Sequence, residues 1–171
     1  MLTAAVLVIF PLCMAMAAAS DFLSMTIPNR LSVILGLSFL LLAPFSGLTA
    51  LEIGWHILTG LVVFAAGFAL FAIRIMGGGD AKILAASAIW FGWSASAVSY
   101  FAYVALFGGL LSVVVILLRA NANFIAISGL PVPSTMMQAS KVPYGVAIGA
   151  AAFMTFPQSP MFQSVVGILP G

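Results

Sequence analysis

Six apolar runs, separated by isolated charges and turn residues, divide this chain from end to end. They cover Leu2–Ala19, Leu31–Leu48, Ile53–Ile75, Ile83–Trp93, Ser99–Leu118 and Tyr144–Phe156. A helix that crosses a bilayer needs roughly 20 mostly apolar residues, within a range of about 17–25. The first, second, third and fifth runs satisfy this as they stand. The fourth does so if it extends over Ala81–Ser99 across Gly92, and the sixth if it continues over about Val142–Phe162 across Pro157 and Pro160. The pattern predicts an all-α, polytopic transmembrane bundle of about six spans, forming a single membrane-embedded domain over residues 1–171.

Charge rules out a soluble fold. Only 5% of the residues are charged and 64% are apolar, where an average soluble domain has about 25% charged. Five Lys and Arg with three Asp and Glu cannot cover the surface of a soluble 171-residue protein; in a bilayer, lipid takes that role. A formal charge of +2 is too small to point to nucleic acid. Cys13 is the single cysteine and sits in an apolar run, so neither a disulfide nor a cysteine metal site can form within the chain, and a small buried hydrophobe is expected. The first run lacks a basic segment ahead of it, and the first Arg, Arg30, follows it, which describes a span rather than a cleaved signal.

The basic residues sort by side. Arg30 falls between runs one and two, Arg74 and Lys82 between three and four, Arg119 and Lys141 between five and six. All five therefore share one face of the membrane, which the positive-inside rule makes cytoplasmic, with both termini outside. Trp55, Trp90 and Trp93 fall near the opposite face and are expected to form an interfacial aromatic belt. His56, the only histidine, lies at that same face and is expected to serve packing or the interface. Between runs five and six, residues 120–141 form the one long connection, with Pro131 and Pro133 among apolar neighbours that could lie on the membrane surface or line a groove. Gly145 and Gly149 make a GxxxG spacing that permits close helix contact.

Chemistry concentrates on two residues. Asp21 and Asp80 are the only aspartates, one directly after run one and the other just before run four. Ionisable groups at membrane depth are costly and tend to be functional. Both would lie at the cytoplasmic ends of their helices, and a compact bundle can return residues 59 apart in sequence to contact. Two carboxylates in contact share a proton, so that one activates water while the other polarises a peptide carbonyl. Two unrelated aspartates solvated at helix ends would carry the same pattern. Gly77-Gly78-Gly79 stands directly before Asp80, and glycine leaves room for another backbone to approach.

These segments resemble those of the GxGD membrane aspartic peptidases, and more narrowly the type IV prepilin peptidase family. Asp21 is followed by Ile27-Pro28-Asn29, Gly77 to Lys82 reads GGGDAK, and Lys141 to Gly145 reads KVPYG. The resemblance implies an endopeptidase that removes the short basic leader of prepilin or pseudopilin precursors at the cytoplasmic face of a bacterial inner membrane. It implies Asp21 and Asp80 as the catalytic pair, with Gly77, Gly78, Gly79, Lys82, Pro28 and Asn29 as loop or substrate-contacting positions and Lys82 without an assigned catalytic role. Longer members carry a paired-cysteine zinc module and many methylate the new amino terminus; here neither metal, cofactor nor methyl transfer is expected. The compact form looks most like the peptidases of tight-adherence (Flp) pili, and archaeal preflagellin peptidases share its core. Expected partners are precursor proteins and membrane lipid, with no nucleic acid. Two other classes compete: a small ion- or proton-coupled transporter using the same aspartates, which would place them mid-span, and a structural subunit of a secretion machine, in which the glycines before Asp80 have no purpose.

Overall fold

Each of the six apolar runs forms a helix, and the described residues contain no strand. The computed structural model of the protein describes residues 1–122 and 142–167. Its helices are α1 (Leu2–Ser24), α2 (Asn29–Leu42), α3 (Ala50–Ala72), α4 (Gly78–Phe91), α5 (Ala95–Ala120), α6 (Tyr144–Thr155) and the short α7 (Pro160–Val166). Three of them, α1, α3 and α5, are long and apolar enough to cross a membrane, with 23, 23 and 26 residues. Helices α2 and α4 have 14 residues each and α6 has 12. At about 1.5 Å per residue these fall short of a hydrocarbon core of about 30 Å.

The two expected extensions do not form. Helix α4 stops at Phe91 because Gly92 takes φ +60°, and α5 starts afresh at Ser94, whose hydroxyl accepts the Ala97 N–H at 3.2 Å. Helix α6 stops at Thr155: Pro157 has no N–H to continue it, a 3-10 turn follows over Phe156–Gln158, and Ser159 caps α7. Glu52, the third acid, is absorbed in a capping box, with the Thr49 N–H donating to its carboxylate at 2.7 Å and its own N–H donating to Thr49 Oγ1 at 3.3 Å.

Helix α4 packs between α2 and α3, and α6 between α1 and α5; α1 against α2 and α4 against α6 join the two groups. Small residues allow this closeness. A Cβ on Gly149 would stand 2.9 Å from Ala18 Cβ and 3.2 Å from the Met14 carbonyl oxygen, so half of the GxxxG spacing is helix packing, as expected. Cys13 is buried in the α1 face of the core.

One end of the bundle is filled by aromatic rings. Phe10 stacks on Phe156 at 4.2 Å and tilts against Trp90 at 5.2 Å, while Phe91 stacks on Tyr100 at 4.5 Å. Trp90 corrects the belt expectation: it is fully buried, and its indole N–H donates to the Leu35 carbonyl at 3.1 Å. Its neighbours in α4 place it on the face that meets α1 and α2, where a ring that large is needed to fill the core. Trp55 and Trp93 are exposed and lie 6.3 Å apart, as belt residues would. His56 is buried, stacks on Phe39, and donates from Nδ1 to the Ile89 carbonyl at 2.6 Å, satisfying one of the last carbonyls of α4.

Candidate active site

At the opposite end, the segments α1–α2, α3–α4 and the start of α6 surround a cavity of 640 Å³. Asp21 and Asp80 both line it, with Asn29 and all three glycines Gly77, Gly78 and Gly79. Arg30, Arg74, Lys82 and Arg119 belong to the turns or helix ends at this end of the bundle; Lys141 and the greater part of the long connection lie outside the described residues.

Asp21 does not follow its helix but sits inside it, one turn before the end of α1, and is 5% exposed. The helix runs on because Phe22 and Leu23 continue its apolar pattern, and it ends at Met25 in a left-handed conformation (φ 53°) whose N–H donates to the Asp21 carbonyl at 2.8 Å. The carboxylate is held from a third helix: the backbone N–H of Gly145, in the first turn of α6, donates to Asp21 Oδ2 at 2.7 Å. No side chain fits between them, since a Cβ on Gly145 would meet Asp21 Cβ at 2.8 Å and Oδ2 at 2.9 Å.

Asp80 likewise lies within the first turn of α4, not ahead of it. That turn is the positive end of the helix dipole. Gly77 is the N-cap residue, while Gly78 and Gly79 are already helical and none of the three has a positive φ. The three glycines are therefore needed for space. A Cβ on Gly77 would stand 2.6 Å from Asp80 Oδ2, one on Gly78 3.2 Å from the Phe71 ring, and one on Gly79 3.2 Å from Ile27 Cβ. The last contact brings the segment after Asp21 against the segment before Asp80.

Two of the expected positions lie off the cavity. Pro28 is the N-cap residue of α2, and Lys82, which does not line the cavity itself, donates from Nζ to Oδ1 of the lining residue Asn29 at 3.0 Å. This bond ties α4 to the start of α2. Tyr144 and Gly145 belong to the site but were legible only as a late Pro-Tyr-Gly stretch; Tyr144 lines the cavity and its hydroxyl lies 3.1 Å from Ser112 Oγ of α5. Among the described residues, no cluster of three or more His, Cys, Asp or Glu could hold a metal.

Two acidic side chains from different helices thus line one cavity at one end of a bundle of apolar helices, the arrangement of a membrane protein with a candidate site at that end. Comparison with known families is more specific: residues 8–120 match the type IV leader peptidase family. The chain belongs to that family and is a membrane peptidase. No curated protein and no solved structure matches it.

Proposed function

We propose that this protein is an aspartic endopeptidase that removes the leader of prepilin-like precursors at the cytoplasmic membrane face. The observation that carries the proposal is the convergence of Asp21 and Asp80, from different helices, on one cavity. One carboxylate takes a proton from water, which attacks the scissile carbonyl carbon; the other, protonated, donates a hydrogen bond to the carbonyl oxygen. Collapse of the tetrahedral intermediate breaks the C–N bond, and the leaving amine takes up a proton from the acid pair. The chain's own groups supply the rest: Gly145 orients Asp21, and the glycines before Asp80 keep its surroundings open to a peptide backbone. Family membership lends the transporter alternative no support.

The topology that goes with this function has about six spans, in which the bilayer thins around the short helices α2, α4 and α6, with the basic residues in the cytoplasm and both termini outside. It predicts that cysteines placed at 30, 82 and 141 in a Cys13-free protein react only from the cytoplasmic side. Labelling of position 141 from outside overturns the orientation. Activity itself is tested by co-expression with a candidate prepilin, followed by mass analysis of the leader-bearing and processed forms. Unprocessed precursor in the presence of properly inserted protein, across several prepilins, counts against the assignment.

A further inference from the structure

Helix α5 contributes no residue to the lining of the active-site cavity. It packs mainly on α6, and at the start of α6 it meets Tyr144, which does line the cavity. The chemistry uses Gly145 of the Pro-Tyr-Gly stretch but leaves Tyr144 without a task.

Local backbone geometry explains why the N–H of Gly145 is free to serve Asp21. The first N–H groups of a helix have no partner within it. In α6, Pro143 is the N-cap residue at φ −74° and ψ 78°, an inverse γ-turn in which the Tyr144 N–H donates to the Val142 carbonyl at 2.9 Å. The next N–H, that of Gly145, donates to Asp21 Oδ2 at 2.7 Å. Its direction follows from where this first turn sits, and glycine has no side chain with which to hold the turn in place. Tyr144 supplies the hold. Its ring rests on α5 at Gly108, where a Cβ would stand 2.6 Å from Tyr144 Cε1 and 3.1 Å from Cδ1. Its hydroxyl lies 3.1 Å from Ser112 Oγ, one turn further along α5. The Ser112 hydroxyl gives its single hydrogen to the Gly108 carbonyl at 2.7 Å, so Tyr144 is the donor to Ser112. The tyrosine proton is thereby committed to α5 rather than to the cavity.

We propose that Tyr144 is a positioning residue for Asp21: held on α5 by Gly108 and Ser112, it fixes the first turn of α6 and so aims the Gly145 N–H at the carboxylate. The effect on cleavage rests on the aspartic-peptidase reading; the clamp itself does not. Helix α5 thus acts on the acid from outside the cavity.

The test uses the two aspartates as reporters. Asp21 and Asp80 are the only ones in the chain, so full-length protein labelled with carbon-13 at the aspartate carboxyl carbon shows one resonance for each, assigned with Asp21→Asn and Asp80→Asn. Tyr144→Phe removes the hydroxyl and keeps the ring. It is expected to move the Asp21 resonance and to leave that of Asp80 in place. On a membrane-anchored precursor it should lower kcat about three- to tenfold with KM within about twofold, the effect of one neutral hydrogen bond on the placement of a reacting group. Ser112→Ala is expected to do the same, and the double variant to lose no more than either single one. Gly108→Ala keeps both hydroxyls but places a methyl group against the ring, and it too should move the Asp21 resonance. Gly109→Ala, where a Cβ meets nothing within 4 Å, is expected to move neither. An unmoved Asp21 resonance in both Tyr144→Phe and Gly108→Ala overturns the clamp. So do equal shifts of both aspartates, which mark a general loosening, and a raised KM at unchanged kcat, which makes Tyr144 a substrate contact. A wild-type protein that cleaves no precursor rejects the peptidase assignment alone, and the resonances still decide whether Tyr144 positions Asp21.

Discussion

The two ends of α4 differ in how they use space. At its last turn Trp90 and Phe91 are fully buried among Phe10, Tyr100 and Phe156, Gly92 turns the chain at φ +60°, and the ring of His56 lies where a Cβ on Gly92 would fall, 2.6 Å from His56 Cδ2. At its first turn there are three glycines, a 640 Å³ cavity, and two non-glycine residues with left-handed backbones, Met25 (φ 53°) and Arg74 (φ 62°), both lining that cavity. Such conformations are uncommon for residues with side chains and persist only where the surroundings enforce them. One helix is thus anchored by packing at one end so that its other end can hold an acid beside open space. The comparison separates residues whose loss should affect turnover from those whose loss should affect stability.

The sharpest test is Asp21→Asn or Asp80→Asn. Each is expected to lower cleavage by about 10³-fold or more, with insertion and melting temperature unchanged, and the double variant should lose no more than either single one. Additive losses would mean that the two acids do not work as a unit. Gly145→Ala comes next. Its methyl group would displace the carboxylate of Asp21, and a misplacement of about 1 Å can cost roughly 100-fold; a loss of about 10- to 100-fold in turnover at matched abundance is expected. Wild-type turnover would show that the 2.7 Å bond from Gly145 does not position the acid.

Gly79 sharpens the aspartate end further. Its backbone is helical, so alanine meets only the 3.2 Å contact with Ile27 Cβ, and a loss of about two- to threefold is expected, against roughly tenfold for Gly79→Val. Normal processing by Gly79→Val would make the segment an ordinary helix start. The other end should behave in the opposite way. Trp90→Ala empties a filled site and is expected to destabilise by about 3–5 kcal/mol, and His56→Phe, which removes the bond to the Ile89 carbonyl, by about 1 kcal/mol. Turnover per folded molecule should be unchanged in both, measured by unfolding in mild detergent alongside precursor cleavage. A turnover defect at normal stability would end the division of labour along α4.

Much of this was legible in the residues. Six apolar runs mark six helices because hydrocarbon length and backbone satisfaction leave a chain of this composition little choice. The aspartates and the glycines beside Asp80 stood out because charge is rare here. Helix ends were less legible. Asp21 and Asp80 both lie inside helices that hydropathy would end or begin beside them, since a charged residue lowers local hydropathy without breaking backbone hydrogen bonds. Trp90 was placed in the membrane interface because nothing in its own segment distinguishes a core tryptophan from a belt tryptophan three residues away.

The sequence by itself determined the class of fold, the family and the two acids, because these depend on local composition and on motifs read along the chain. Only the tertiary structure decided how they meet: that Gly145, 124 residues from Asp21 in sequence, donates to its carboxylate, that Lys82 turns to Asn29, and that the three glycines serve contact rather than an unusual backbone. Such relations depend on which helix faces are brought together, and apolar faces in lipid pack by shape. The small residues that decide this are common to nearly every segment of the chain.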